Sequence, residues 1–464
     1  MISLPDMPVP SAAARLVDLL AHDLDFHDSG DSCVAHTIHS FPAKFPPQLP
    51  QKFIHALTQP GQVVLDPMAG SGTTPLEAYL AGRQAIGFDI DPLALLLSQV
   101  KTTPLPADIA QDAGMEAAAR AQHALRRRPD DLARFCACRW NEKSRRFIDY
   151  WFAPTTQFEL AALIKEIEAV PAPAIRAFLL AAFSATIIAR SRGVSLAVDL
   201  AHTRPHRVQT ALSPAGTRLF TATASINGSA HSASHQTKII YPALAEFRRR
   251  VQVQARALLS LLPSGGAPAA PAPLLSFGNA QALPLPASSV DLIVTSPPYA
   301  GNAIDYMRAH KFSLVWMGHA IDRLGQQRKQ YIGDESLPDI PFDEMPPYTA
   351  GIIAAISRRD ARKSQILHRY YAEMTTALRE MHRVLRPGAA AILVVGSAVM
   401  RGQDTETHRC LAEIGETLGF TVPDIGLRRL DRNRRMMPAA NQHNPDSAIQ
   451  RRMHEEYVIG LCKA

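Results

Sequence analysis

Cysteine is scarce in this chain, with five residues in 464. Only Cys136 and Cys138 lie close together, and no second pair stands at zinc-site spacing. The sequence therefore does not read as a zinc or disulfide scaffold, and no metal is expected. The thiols read as reduced, buried groups of a cytoplasmic protein. Long apolar runs are missing too, and none reaches the roughly 20 residues of a membrane span. The opening stretch "MISLPDMPVPSAAARLVDLL" lacks the basic start and apolar core of a secretion signal. No internal repeat, nuclease motif or helicase motif is present.

What is there is ordinary for a globular protein: 47% hydrophobic and 20% charged residues. The length suits two or three domains, or one large domain carrying an insertion. A net charge of +7 favours a polyanionic partner without specifying one.

The clearest local signal is "GQVVLDPMAGSGTTPLEAYLAGRQAIGFDIDPLALLLSQV". It predicts a short buried strand at 63–65, a glycine-rich turn, a helix over 74–80 and a second strand over 85–88. Such a βαβ unit implies parallel, buried strands. Asp91 and Pro92 then suit the N-cap and first position of a further helix. From about residue 101 to 262 the chain is rich in Ala, Arg and Leu and mostly helical in period, except for a loop-like stretch from Thr203 to Lys238. "LPSGGAPAAPAP" reads as a linker. Strand signals resume in "LLSFGNA", "VDLIVTSPPY", "AAAILVVGSA" and "HEEYVIGLCKA", with amphipathic helices over 366–385 and near "CLAEIGETLGF". The expected fold class is α/β, a Rossmann-like doubly wound sheet with a mainly helical insertion. Its divisions are a leader (1–35), a cofactor-binding half (36–100), the insertion (101–273) and a catalytic half (274–464).

Three motifs carry chemistry. In "DPMAGSGTT", Gly70 and Gly72 allow a tight turn between a parallel strand and a helix, where such sheets bind ligands. No Gly-Lys-Ser/Thr follows, so this is not a phosphate-cradling loop. An ordinary strand-to-helix turn would look similar, but Asp89, about twenty residues on, is spaced to accept from two ribose hydroxyls. Asn279 in "FGNA" could bond the edge of an adenine ring, or serve only as a turn residue. In "TSPPY", Pro297 and Pro298 have fixed φ and no N–H, and Tyr299 offers a flat face. Together with the Ser296 hydroxyl they could grip a planar group carrying an exocyclic amine and draw its nitrogen toward a nucleophilic, tetrahedral geometry. A Pro-Pro loop with a core tyrosine is the plainer alternative.

"TSPPY" with "DPMAGSGTT" resembles the exocyclic-amine DNA methyltransferases that use S-adenosyl-L-methionine. "HSFPAKFPPQLP" resembles the proline-rich segment these enzymes place ahead of the cofactor loop, and "SPPYAGNAIDYMRAHKFSLVWMG" resembles a branch of bacterial site-specific methyltransferases. The resemblance spans roughly residues 36–100 and 274–400 plus the last strand. It implies a catalytic role for Ser296, Pro297, Pro298 and Tyr299. It implies a cofactor site formed by Phe45, Pro46, Asp66, Met68, Gly70, Ser71, Gly72, Thr73, Asp89, Ile90, Asn279 and Ala280. Asn279 stands where such enzymes commonly have an acid. The leading serine favours cytosine N4 over adenine N6 as the methylated position. The order of the halves suggests that the insertion recognises the target.

The implied partner is double-stranded DNA, with a flipped base as substrate. A cognate restriction endonuclease or another defence-system subunit would accompany it. Candidate DNA-contacting residues are Arg192, Arg204, Arg207, Arg358, Arg359, Arg428, Arg434 and Arg435, though any single cluster could equally be a solvated face. Other readings of the same motifs are an amino-methyltransferase acting on RNA or protein, and a non-catalytic DNA-binding scaffold.

Overall fold

The structure is a computed structural model that describes residues 11–27, 36, 38–41, 45–189, 191–198, 200, 205–222, 237–261, 270–300, 305–335, 344–430 and 455–464. Its centre is an eight-stranded sheet. The strands are β1 (Val63–Asp66), β2 (Gln84–Asp89), β3 (Leu274–Phe277), β4 (Val290–Thr295), β5 (Leu385–Gly396), β6 (Phe420–Thr421), β7 (Ile425–Arg429) and β8 (Glu455–Lys463). They lie in the order β3-β2-β1-β4-β5-β8, and β6 and β7 both pair with the far side of β8. β1 to β5 run parallel, and β8 runs antiparallel to β5. The strand order reverses between β1 and β4, which places a crevice beyond their C-terminal ends.

The local chemistry explains these elements. β4 and β5 read as continuous apolar runs because helices cover both faces of the sheet. Leu292 and Val294 of β4 face α1 (Ala12–Ala21) and α2 (Gln48–Leu57), while Ile293 joins the opposite cluster. There α14 (Ala361–Val384) packs Leu367, Tyr371, Met374, Leu378 and Met381 against the sheet, the spacing seen in the sequence. Asp291 fixes the register at the start of β4: its Oδ2 accepts the Val63 N–H at 2.8 Å, and its Oδ1 pairs with Arg386. Helix α14 ends before "RPG" as expected. Those residues then form an irregularity inside β5 rather than a free turn.

α3 (Thr73–Leu80) links β1 to β2, and α4 (Pro92–Thr102) follows β2. Asp91 caps α4 by accepting from Leu93 and Ala94, with Pro92 at the first position, as the sequence predicted. Between α4 and β3 lie α5 (Ala107–Arg127), α6 (Pro129–Arg139), α7 (Glu142–Trp151), α8 (Pro154–Glu168), α9 (Pro173–Ile187) and α10 (Ala243–Leu258). Their core includes Leu160, Leu163, Phe178, Phe183, Phe247 and Val251. Gly114 lets α5 and α10 touch, since a Cβ there would sit 2.5 Å from Val251.

The stretch from 203 to 238, expected as loop, instead contributes short strands. Thr210–Leu212 pairs with Arg218–Thr221 and Thr237–Ile239, and His206–Arg207 pairs with Ala197–Val198. Most of the linker expected over 262–273 lies outside the described residues. After β4 come α11 (Tyr306–Leu314), α12 (Ile321–Arg328) and α13 (Pro347–Ser357), and α15 (Thr407–Thr417) precedes β6. The arginine cluster at 358–363, expected in a loop, sits at the α13–α14 junction. Among the described residues no helix is long and apolar enough to cross a membrane.

Candidate active site

Asp66 ends β1, and its carboxylate accepts the Met68 N–H at 3.1 Å. The chain then bends through Gly70 (φ +51°) and Gly72 (φ +78°) into α3. At Gly72 the bend leaves no room for a side chain, because a Cβ would lie 2.6 Å from Ser98 Oγ and 2.9 Å from Ser98 Cα. The loop is pinned from beneath by α4. Ser98 Oγ donates to the Gly70 carbonyl at 2.9 Å, and the buried Lys101 Nζ donates to the Ser71 carbonyl at 2.6 Å. It is pinned from the side by Asp89 at the end of β2, which accepts the Gly70 N–H at 2.7 Å and the Asp91 N–H at 2.8 Å.

Above this loop opens a cleft whose empty space, counted out into open solvent, is ≈ 900 Å³. Asp66, Met68, Gly70, Ser71 and Thr73 line it from the β1 side, and Asp89 and Ile90 from β2. Asn279 and Ala280 line it beyond β3, Ser296 and Pro298 beyond β4, and Phe45 ahead of α2. Segments separated by some two hundred residues in sequence therefore share one cavity. Pro46, Gly72, Pro297 and Tyr299 do not line it; Gly72 shapes the loop from behind, and Pro297 is buried. The Ser71 hydroxyl is 3% exposed at residue level and has no hydrogen-bond partner in the protein. A buried, unsatisfied hydroxyl in a cleft wall suits a site that a polar ligand completes. Asn279 Oδ1 accepts the backbone N–H of Gln281, two residues on, at 3.0 Å, in the manner of a turn.

The sequence reading missed part of this wall. Phe41 and Tyr306 both line the cleft and stack on each other, ring centroids 5.1 Å apart and 23° between planes. Tyr306 stood within the quoted catalytic stretch, seven residues past Tyr299, so position alone could have flagged it. Tyr331 and Asp91 also line the cleft. Asp91 Oδ2 is 2.6 Å from His310 Nδ1 of α11 and accepts the Tyr331 hydroxyl at 2.9 Å. Nothing in the sequence around Tyr331 signals this role.

The floor is acidic, and burial governs its titration. Burial pushes Asp66 up to about 7, with the nearby Thr295 side chain and the Met68 N–H pulling against it. Burial and then the charge of Asp91 push Asp89 up to about 6, despite its two backbone N–H donors. Asp91 behaves oppositely: burial opposes its charge, but His310, Tyr331 and the Leu93 N–H outweigh that and hold it below the ordinary carboxylate range. Burial raises Tyr306 and Tyr331 well above the usual phenol range, so both stay protonated donors.

Tyr299 turns toward β8, and its hydroxyl donates to Glu456 Oε1 at 2.8 Å. Burial, followed by the Glu456 charge, holds this phenol well above its ordinary value.

The candidate DNA-contacting arginines are unevenly placed. Arg358 is exposed at the end of α13. Arg359 donates to the Arg401 carbonyl at 3.0 Å. Arg192 pairs with the buried Glu246 at 2.7 Å and lies 3.7 Å over the Tyr241 ring. The Arg207 guanidinium lies 4.2 Å from both the Tyr150 and Phe220 rings, and burial lowers its pKa. Arg428 is buried and paired with Glu456. Arg204, Arg434 and Arg435 lie outside the described residues.

Comparison with known proteins agrees with this geometry. The N6/N4 DNA methylase family matches residues 22–99, which hold the glycine loop, Asp89 and most of α4. The Type II methyltransferase M.MvaI of Kocuria varians is 22% identical over 84% of this chain and 83% of its own. M.MjaII of Methanocaldococcus jannaschii is 39% identical over 66 residues, 14% of this chain and 12% of its own. M.PvuII of Proteus hauseri is 41% identical over 61 residues, 13% of this chain and 18% of its own. Residues 22–99, which build the cofactor side of the cleft, thus match the N6/N4 DNA methylase family, and the chain along most of its length is similar to a Type II methyltransferase.

Proposed function

We propose that this protein transfers a methyl group from S-adenosyl-L-methionine to the exocyclic amine of a base flipped out of duplex DNA, cytosine N4 first, as the modification enzyme of a Type II system. The observation that carries this is the single cleft, in which the loop after β1 and the Ser296–Pro298 turn after β4 meet. The residues present suit the cofactor. Asp89 sits at a strand end as a ribose acceptor, Ser71 offers an unsatisfied hydroxyl, and the acidic floor suits a cation. Bound there, the cofactor supplies an electrophilic sulfonium methyl.

The chain's own part is positioning in a site shielded from water. Gly70 and Gly72 keep side chains out of the loop, and Phe41 and Tyr306 form an aromatic wall above it. Ser296 and the carbonyls of the Pro-Pro turn accept from the target amine, concentrating its lone pair on nitrogen. Tyr299 supplies the stacking face for the base. The proton shed after transfer leaves through the oxygens to which the amine already donates. Arg358, exposed, is a phosphate contact, and residues 101–273 carry target recognition.

The test is incubation with labelled S-adenosylmethionine and duplex DNA, RNA or protein, followed by nucleoside chromatography. Label in N4-methylcytosine of duplex DNA is the expected result. Label in N6-methyladenine replaces the base assignment alone. Label in RNA or protein, or none despite cofactor binding, overturns the proposal.

A further inference from the structure

We propose that Glu456 and Arg428 are positioning residues for Tyr299, fixing its ring in the orientation that stacks on the target base. The inference rests on the proposed stacking role of Tyr299 and adds two residues from the opposite end of the chain.

Three observations combine. The Tyr299 hydroxyl donates to Glu456 Oε1 at 2.8 Å, across 157 residues of sequence. The other carboxylate oxygen, Oε2, pairs with Arg428. Glu456 and Arg428 stand directly opposite each other in the β7–β8 pair, and each is 8% exposed. The tether is therefore mounted on paired strands. β5 lies between β4 and β8, so the tyrosine reaches across the end of β5. There Gly396 stands opposite Glu456 and contributes no side chain.

A tyrosine ring has two soft torsions. Pro297 and Pro298 restrict the backbone leading into Tyr299, a hydrogen bond at the far end of the ring fixes where its long axis points, and the preference of a phenol O–H for the ring plane biases rotation about that axis. A buried carboxylate is costly unless its charge is met, and Arg428 meets it. The charge is thereby balanced without withdrawing the phenol proton, so the hydroxyl remains the donor. Three apolar side chains would fill the same space at no desolvation cost. Such an apolar packing would set no preferred direction for the hydroxyl, whereas the polar triad does.

The test compares wild type with Tyr299→Phe, Glu456→Ala, the double variant and Tyr299→Ala. Measured quantities are the single-turnover methyl-transfer rate on duplex DNA, KM for DNA and Kd for cofactor. Y299F and E456A should each slow transfer about tenfold, the scale of one hydrogen bond to a charged acceptor, with cofactor Kd unchanged. The double variant should be no slower than the slower single variant, because both remove the same bond. Effects that multiply in the double variant would mean that Glu456 acts on the fold and not through Tyr299, overturning the inference. If E456A unfolds, Y299F decides alone, since it leaves the Glu456–Arg428 pair intact; a wild-type rate overturns the tether. A wild-type rate in Y299A removes the stacking role of Tyr299 and the inference with it. Loss of transfer in Y299A with full activity in E456A refutes only the tether.

Discussion

Asp89 should make cofactor affinity pH-dependent just below neutrality. Its two oxygens already accept the Gly70 and Asp91 N–H groups, and burial with the Asp91 charge lifts it to about 6. In the proposed function it must be ionised to accept the ribose hydroxyls. A carboxyl group titrating near that value is about one-tenth ionised at pH 5 and about nine-tenths at pH 7. Affinity should therefore fall about tenfold from pH 7 to pH 5 and level off above pH 7. The demethylated product, S-adenosylhomocysteine, is the suitable probe, because its carboxyl and amino groups titrate outside that range. Isothermal titration calorimetry in half-unit steps from pH 5 to 8 reads the profile. Asp89→Asn should flatten it and weaken binding at pH 8 by about 2 kcal/mol, roughly thirtyfold. That control also separates Asp89 from Asp66, which titrates near 7. Folding responds in the opposite sense. Asp89's folded-state pKa is raised, so the free protein holds its proton more tightly than the unfolded chain does. Stability should then decline by about 3 kcal/mol as pH rises from about 4 through about 6, while the thermal shift induced by product grows. A flat wild-type profile, or a slope that survives in D89N, refutes the reasoning.

Gly72→Ala places a Cβ against the Ser98 backbone at a left-handed φ, and should cost about 2–4 kcal/mol in urea unfolding. Ser71→Ala removes an unsatisfied hydroxyl; the free protein's Tm should hold or rise, while product binding weakens about fivefold by calorimetry. Arg358→Ala should lower the slope of log affinity against log salt for DNA by about one, with Tm unchanged. Arg207→Ala should lower Tm, because it empties a space between two aromatic rings, and a differential scanning measurement distinguishes the two arginines.

The parts of the fold legible in the sequence are those built from short-range signals. The β1–α3–β2 unit and the start of α4 announced themselves because a glycine turn, two apolar strands and the Asp91 N-cap fall within forty residues. That β4 lies beside β1 followed from the doubly wound reading, and the cleft-lining residues beyond four strands came with it. The short strands over 197–239 escaped because each has only two to four residues and no alternation. Arg207, packed between Tyr150 and Phe220, is a tertiary contact that no local pattern displays. Arginine runs were equally opaque. Whether a guanidinium faces solvent or a buried acid depends on a partner far along the chain, as Arg192 with Glu246 and Arg428 with Glu456 illustrate. Tyr331 reaches the cleft only because Asp91 and its hydroxyl meet across 240 residues.

β2 and β3 are hydrogen-bonded neighbours, yet 184 residues separate Asp89 at the end of the first from Leu274 at the start of the second. Whatever lies between them departs from and rejoins the sheet along one border, outside every other strand pairing. That stretch can therefore change in length without disturbing the register of β1, β2 and β4, whose ends frame the cleft. On the proposed assignment of target recognition to that stretch, DNA specificity can change without altering the residues that line the cleft.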